Sequence, residues 1–323
     1  MTTTLYTAKQ LPAERYHSEE FPQASGSVLA AIYSTCPAQW KYGEPIESKP
    51  MAFGTTSHAF LLEPGEFDSR YVRGIDPADY PGALVTGKDI ESWLKECGRK
   101  GYSGKLKSEL IAMAKEDPNH PPILDDIVAK HIEAAGERAV VPYADYDTIG
   151  MMRKTIEANG YGFVFAPGGG ESEVSIIGDD LKCRIDRLLN RGNGEIWDFK
   201  TTNNVEPRAF GAQAFRMNYW LKMAVQADMF ERHFGHLPDR VVLMAQSTKV
   251  PHIPVAYELT ADQLNVGRDQ YRGAHMLLEQ CKASGQYPGY AGRGELLQLD
   301  TPGYAAYEFG MNSGIGDIEI VED

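Results

Sequence analysis

Long apolar runs are missing from this 323-residue chain. The longest stretch without a charged side chain, Phe21 to Trp40, carries Pro22, Gln23, Ser25, Ser27, Ser34, Thr35, Pro37 and Gln39 and is too polar to span a membrane. The start, Met1 to Lys9, holds no apolar signal segment, so the cytosol is the expected compartment. Cysteine is scarce, and Cys36, Cys97, Cys183 and Cys281 stand singly, without a Cys-x-x-Cys pair. That excludes a disulfide framework and predicts reduced, mostly buried thiols. Positive charge is also short: 32 Lys+Arg against 45 Asp+Glu leave a net −13. A protein that coats nucleic acid by unspecific charge is thereby disfavoured, while a local basic groove stays open. Internal repeats and long low-complexity linkers are absent too, which points to one elaborated domain.

What is present is a globular composition. With 42% hydrophobic residues and 17 Tyr, 12 Phe and 4 Trp, the chain can bury a sizeable core, and bulk disorder is excluded. Residues 1–24 read as loosely ordered. From Ser25 or Ser27 a short helix is expected, with a hydroxyl N-cap and an apolar face of Val28, Leu29 and Ile32, ending before Pro37. Further helices are expected over Met51–Leu62, Lys88–Lys115 (interrupted by Gly101 and Gly104), Ile123–Arg138 and Thr148–Asn159. This makes about 66–160 a helical elaboration.

The texture changes at Pro167-Gly168-Gly169-Gly170, where a core of about 170–285 begins. Strand patterns run over Glu173–Ile177, Leu181–Leu189 and Glu195–Thr201. The turn chemistry of Gly178-Asp179-Asp180 and Arg191-Gly192-Asn193-Gly194 separates them, as in an antiparallel meander. A long helix over Ala212–Phe234, strands at Val241–Ala245 and Ile253–Leu259, and a helix over Ala261–Ser284 follow. Thr260 and Gln263 form a capping box for the last helix and Gly285 closes it. The predicted fold class is α/β, with a mixed sheet and a mainly helical first half.

Chemistry concentrates in Glu195-Ile196-Trp197-Asp198-Phe199-Lys200-Thr201-Thr202. Strand alternation puts Asp198 and Lys200 on one face and Trp197 and Phe199 on the other. Asp186 lies on the preceding strand within Cys183-Arg184-Ile185-Asp186-Arg187, and Glu173 opens the strand before that. If the hairpin register brings Asp186 to Asp198, two carboxylates converge. Such a pair suits a hard divalent cation, Mg²⁺ or Mn²⁺, and Lys200 is placed to orient or deprotonate a water. Each residue also has a plain reading: Asp-x-Lys as a solvated face, Asp186 as half of an ion pair with Arg184 or Arg187, Glu173 as surface. Only their order over consecutive strands is specific.

That order resembles the PD-(D/E)XK nuclease superfamily, and within it the RecE-type exonucleases (exodeoxyribonuclease VIII) of phages and prophages. Four more stretches carry the resemblance. Phe53-Gly54-Thr55-Thr56-Ser57-His58, followed by Leu61-Leu62-Glu63-Pro64, is similar to the family's Gly-x-x-x-His helix, with Gly54 and His58 on one helical face. Ser34-Thr35-Cys36-Pro37-Ala38-Gln39-Trp40 resembles its N-terminal helix end, and Asp198 to Thr202 its Asp-x-Lys-Thr-Thr. Tyr287-Pro288-Gly289-Tyr290 and Glu295 to Ala305 resemble its ending. The nuclease domain then covers 25–305, with 306–323 a Gly-rich, acidic tail.

The resemblance implies Asp186, Asp198, the Phe199 carbonyl and His58 as metal ligands, Lys200 as the catalytic lysine, and Glu173 as a further acidic ligand. Where the family has Gln-x-x-x-Tyr on the helix after the lysine strand, this chain has Lys222 and Gln226, which share a face with Tyr219. These three, with Arg184 and Arg187, are the expected DNA-positioning residues. The implied activity is Mg²⁺-dependent exonuclease digestion of double-stranded DNA ends, 5′ to 3′, with Mn²⁺ able to substitute. It implies 3′ tails for a single-strand annealing recombinase and a homo-oligomer working in a bacterial host cytoplasm, with no membrane. A catalytically weak DNA-end or partner-binding module, or an endonuclease of the same fold, are the competing expectations.

Some related RecB-like nucleases resemble the chain in a Cys-Pro near the first helix, but add three clustered cysteines to hold an iron–sulfur cluster. Here Cys281 stands alone toward the end of the core, so no cluster is expected. Anaerobically purified protein should show no visible iron–sulfur absorption, and a stoichiometric four-iron signal would overturn that expectation.

Overall fold

The computed structural model describes residues 2–44 and 49–301. In chain order the strands are β1 (Thr4–Tyr6), β2 (Ala24–Ser25), β3 (Tyr71–Arg73), β4 (Ala139–Val141), β5 (Gly170–Ile177), β6 (Leu181–Leu189), β7 (Glu195–Thr202), β8 (Arg240–Ser247) and β9 (Pro254–Glu258). The helices of the first half are α1 (Ala13–Tyr16), α2 (Gly26–Ser34), α3 (Pro37–Tyr42), α4 (Lys49–Leu62), α5 (Pro64–Arg70), α6 (Gly87–Glu96), α7 (Lys107–Ala114), α8 (Leu124–Ala135) and α9 (Tyr143–Ala158). Those of the second are α10 (Pro207–Arg216), α11 (Tyr219–Phe234) and α12 (Ala261–Ser284).

The central mixed sheet runs β1-β5-β6-β7-β8-β9, with β2 alongside β6. β5, β6 and β7 form the antiparallel meander that the turn residues require. β7 and β8 are parallel, joined by a crossover through α10 and α11, and β9 returns antiparallel. Helices cover both faces. On one, α2, α11 and α12 close over Ile185, Ile196 and Leu243. On the other, Leu61 of α4 and Met152 and Ile156 of α9 pack on Trp197, Phe199 and Met244. The alternation expected along β7 therefore holds. α6, α7 and the Leu84–Ile123 bridge enclose a small core of their own.

The feature that positions the site is a parting of strands. β6 and β7 pair only from Leu189–Glu195 to Arg187–Trp197, whereas β7 stays paired with β8 as far as Thr202. The edge of β6 that β7 leaves is taken up at its far end by β2, where Ala24 and Ser25 pair with Leu181 and Lys182. A backbone edge without a partner would leave buried donors and acceptors unmatched, so two strands share the length of β6.

Three expectations are corrected. Residues 2–24 are not loose: β1 pairs with β5, Leu11 and Tyr16 are buried against Ile177, and β2 enters the sheet. Lys182, only 6% exposed, holds this segment by donating to the Tyr16 carbonyl at 2.7 Å and the Phe21 carbonyl at 2.6 Å. The expected helix over Ala212–Phe234 is two helices. Pro207 starts α10 at its first turn, where a missing N–H is harmless, and Asn218 turns the chain with a φ of 53° before α11. The helical first half also contains β3 and β4, a short parallel pair.

Elsewhere the expected signals operate. Ser25 caps α2 through the Val28 N–H at 3.3 Å, and Thr260 with Gln263 caps α12. Two motifs far apart in sequence meet: the Ala38 N–H donates to the Pro288 carbonyl at 3.0 Å, and the Tyr287 ring lies 6.1 Å from Trp40. Pro302-Gly303-Tyr304-Ala305 and the tail 306–323 lie outside the described residues.

Lys182→Met should strip two buried carbonyls of their donor and lower stability by about 2–3 kcal/mol. Urea denaturation measures this, and trypsin should cut faster at Arg15. Wild-type stability and cleavage in the variant would show that the segment is not docked.

Candidate active site

Where β6 and β7 part, the Phe199 N–H donates to Asp186 Oδ2 at 2.9 Å, a carboxylate standing in for a ladder carbonyl. The β5–β6 register is the same on both sides of Glu173 and Asp186, which sets them opposite one another. Glu173 has a φ of 55°, a conformation that non-glycine residues adopt at a cost and that gathers at functional sites. From α4, His58 brings Nδ1 to 3.5 Å from Asp186 Oδ2, its ring edge-on to Phe199 at 5.4 Å. One ligand atom each from His58, Glu173 and Asp186 falls within 4.8 Å of the others.

β7 supplies the remaining pair. Lys200 Nζ contacts Asp198 Oδ2, lies 3.9 Å from Asp186 Oδ2 and donates to the Phe199 carbonyl at 3.2 Å. Asp198 is 6% exposed. The structure thus joins the expected residues in two subsets that share Asp186: His58, Glu173 and Asp186 as a potential ligand triad, and Asp198 with Lys200 as an ion pair beside it.

Burial and charge shape the protonation of these groups. Burial, reinforced by the Asp186 charge, pushes the Glu173 carboxyl up to about 7. The same two causes push Asp198 upward. Burial works against the Lys200 ammonium, but Asp198 and Asp186 outweigh it and hold the lysine firmly protonated. Lys222 is shifted down, first by burial and then by the Lys200 charge.

The cleft of about 230 Å³ above these residues is closed from three sides. α11 contributes Lys222 and Gln226, the start of α2 contributes Gly26 and Ser27, and the N-terminal segment contributes Tyr16 and His17. Lys200 and Lys222 lie over the same Tyr219 ring, at 5.5 and 5.6 Å from its centre. Gln226 is buried and donates to the Arg184 carbonyl at 3.3 Å. Tyr16, His17, Gly26 and Ser27 were not expected here. The Ser25 cap was legible, but nothing local in the sequence says that this helix begins over a strand gap.

The two arginines differ from the expected basic path. Arg184 pairs with Glu173 and donates to the Leu11 carbonyl at 2.9 Å, so it lines the cleft as a fixed counter-charge. Arg187 is 6% exposed and donates to the carbonyls of Val164 and Ala166, both at 2.7 Å, and to Ser172 Oγ at 3.1 Å. Its guanidinium is taken up by these acceptors, and it does not line the cleft above Asp186. Strand alternation from Asp186 gives the reason: neighbouring side chains leave a strand on opposite faces.

The family model for a PDDEXK-like domain of unknown function (DUF3799) matches residues 30–300. The chain belongs to this PDDEXK-like family. A crystal structure from Eubacterium rectale, of a protein described as a "Putative exonuclease", matches with a TM-score of 0.52 at 12% identity. The match covers 95% of this chain and 99% of that one. At that identity the likeness speaks for the fold, a central mixed sheet flanked by helices of the PDDEXK nuclease type. The segment before Ala30, which supplies Tyr16, His17 and the start of α2, precedes the residues that define the PDDEXK-like match.

The donor set fits the divalent cation that a PDDEXK-like domain implies. Two carboxylates and an imidazole nitrogen, mutually close enough to ligate one ion, suit a divalent cation, with water completing the shell. Adding Mn²⁺ should raise the melting temperature of the wild-type protein and leave Asp186→Ala unmoved. A shift of equal size in both proteins, read by differential scanning fluorimetry, would exclude Asp186 as a ligand.

Proposed function

We propose that this chain is a metal-dependent DNA exonuclease of RecE type, hydrolysing phosphodiester bonds at the ends of linear double-stranded DNA. It works 5′ to 3′ and leaves 3′ single-stranded tails, the substrate of a single-strand annealing recombinase. The observation that carries this reading is the convergence of Glu173, Asp186 and the Asp198–Lys200 pair on a cleft where two strands part, with His58 reaching Asp186 from α4 behind it.

His58, Glu173 and Asp186 would hold Mg²⁺, or Mn²⁺ in its place, with Asp198 and the Phe199 carbonyl available from β7. When bound, the cation supplies charge stabilisation to the phosphate and lowers the pKa of a coordinated water. Lys200, kept as an ammonium between Asp198 and Asp186, orients the attacking water and balances charge on the phosphate oxygens. The water oxygen bonds to phosphorus, one ester bond breaks, and the proton that the water gives up passes through solvent to the leaving oxygen. Arg184 keeps Glu173 in place and Phe199 keeps Asp186 in place, so the chain's own contacts set the ligand positions before substrate arrives.

Asp198→Ala and Lys200→Ala should each lose cleavage of linear duplex DNA by at least about 10²-fold, with circular dichroism unchanged. Labels on the 5′ or 3′ end report polarity, EDTA reports metal dependence, and nicking of closed circular DNA would reveal an endonuclease. Undiminished digestion by either variant would sink the assignment. Binding to ends without metal-dependent shortening would favour a binding module instead.

A further inference from the structure

Of the lysines in and beside the cleft, Lys182 is buried and Lys200 and Lys222 are half-buried. Lys182 is satisfied by two carbonyls and Lys200 by Asp198 and the Phe199 carbonyl. Among the described residues the Lys222 ammonium has no ion-pair partner and no hydrogen-bond acceptor, and it lies 5.6 Å from the centre of the Tyr219 ring. Keeping a cation half-buried and unmatched is unfavourable, so a fold that needed only packing here would place an apolar side chain. Backbone also crowds the position. A Cβ on Gly26 would come within 3.3 Å of the Lys222 Cα, which locks α11 against the start of α2 and fixes where this side chain emerges.

Resting on the nuclease reading above, we propose that Lys222 binds a backbone phosphate of the substrate strand, beside the one being cleaved. The site would then hold two ammonium groups with separate duties. Lys200 is committed to the carboxylates of the reacting centre. Lys222, on the α11 side of the same cleft, feels Asp198 and Asp186 at a distance but is in no ion pair with them. Gln226, one turn further along α11, is occupied with the Arg184 carbonyl, and Arg187 is sequestered. Lys222 is therefore the α11 side chain with charge to offer to a phosphate.

The test reads binding without turnover. A 20-base-pair linear duplex is titrated with wild type, Lys222→Met and Lys222→Arg in Ca²⁺, over 50–200 mM salt. Loss of one phosphate contact should reduce the slope of log affinity against log salt by about 0.7–0.9, so the affinity of Lys222→Met falls roughly threefold less than wild type across that range. Lys222→Arg should keep the wild-type slope. A neutral methylphosphonate next to the scissile position should weaken wild type and leave Lys222→Met unaffected. Lys222→Met should melt at or above the wild-type temperature, since an unmatched charge has been removed. An unchanged slope in Lys222→Met, or a melting temperature lowered in step with its affinity, would overturn the proposal and make the lysine structural. Failure of wild type itself to bind the duplex would instead count against the nuclease reading.

Discussion

The Phe199 N–H donates to the Asp186 carboxylate instead of a carbonyl across the sheet, and the geometry of the site follows from that substitution. A buried N–H must have a partner, and where β6 and β7 separate the backbone partner is gone. The carboxylate that replaces it is thereby fixed in the gap, with Glu173 opposite on β5. Helices from both layers then reach it: His58 from α4 on one face, Lys222 from α11 on the other. A sheet paired along its whole length would keep these two layers apart.

Gathering Glu173, Asp186 and Asp198 in a partly buried cleft opposes folding, as the upward shifts of Glu173 and Asp198 show. Arg184 and Lys200 offset part of the repulsion, and the large apolar core around α11 and α12 supplies the stability to retain the rest. The net charge of −13 acquires a local meaning here. For the nuclease proposed above, such a charge disfavours broad attraction to DNA and leaves engagement to the cleft, whose carboxylates would need a cation before an anionic strand became a favourable neighbour. The expected basic path narrows accordingly. Arg187 is withdrawn, Arg184 is committed to Glu173, and Lys222 lines the cleft without an ion-pair partner among the described residues.

The N-terminal segment shows how a wall of the site can lack a local signature. Residues 2–24 have no helical or strand periodicity of useful length, and their order comes from Lys182, Arg184 and the β5 edge, all more than 150 residues away in sequence. Tyr16 and His17 reach the cleft because those distant groups hold the backbone there.

Local rules made much of the molecule legible. Alternation put Asp198 and Lys200 together and Phe199 behind them, turn residues set the meander, and capping residues marked the starts of α2 and α12. The order Glu173, Asp186, Asp198, Lys200, together with the His58 helix, was enough to point to the nuclease fold. All of these are properties of neighbours in sequence, decided by backbone period and side-chain type. Tertiary structure alone decided the rest: that β6 and β7 part at Asp186, that Asp198 is held by Lys200 while His58, Glu173 and Asp186 form a triad, that Arg187 serves the interior, and that Lys222 has no ion-pair partner among the described residues. The reason is physical. Which donor satisfies which acceptor depends on groups brought together by packing from distant parts of the chain, and sequence spacing carries no record of them.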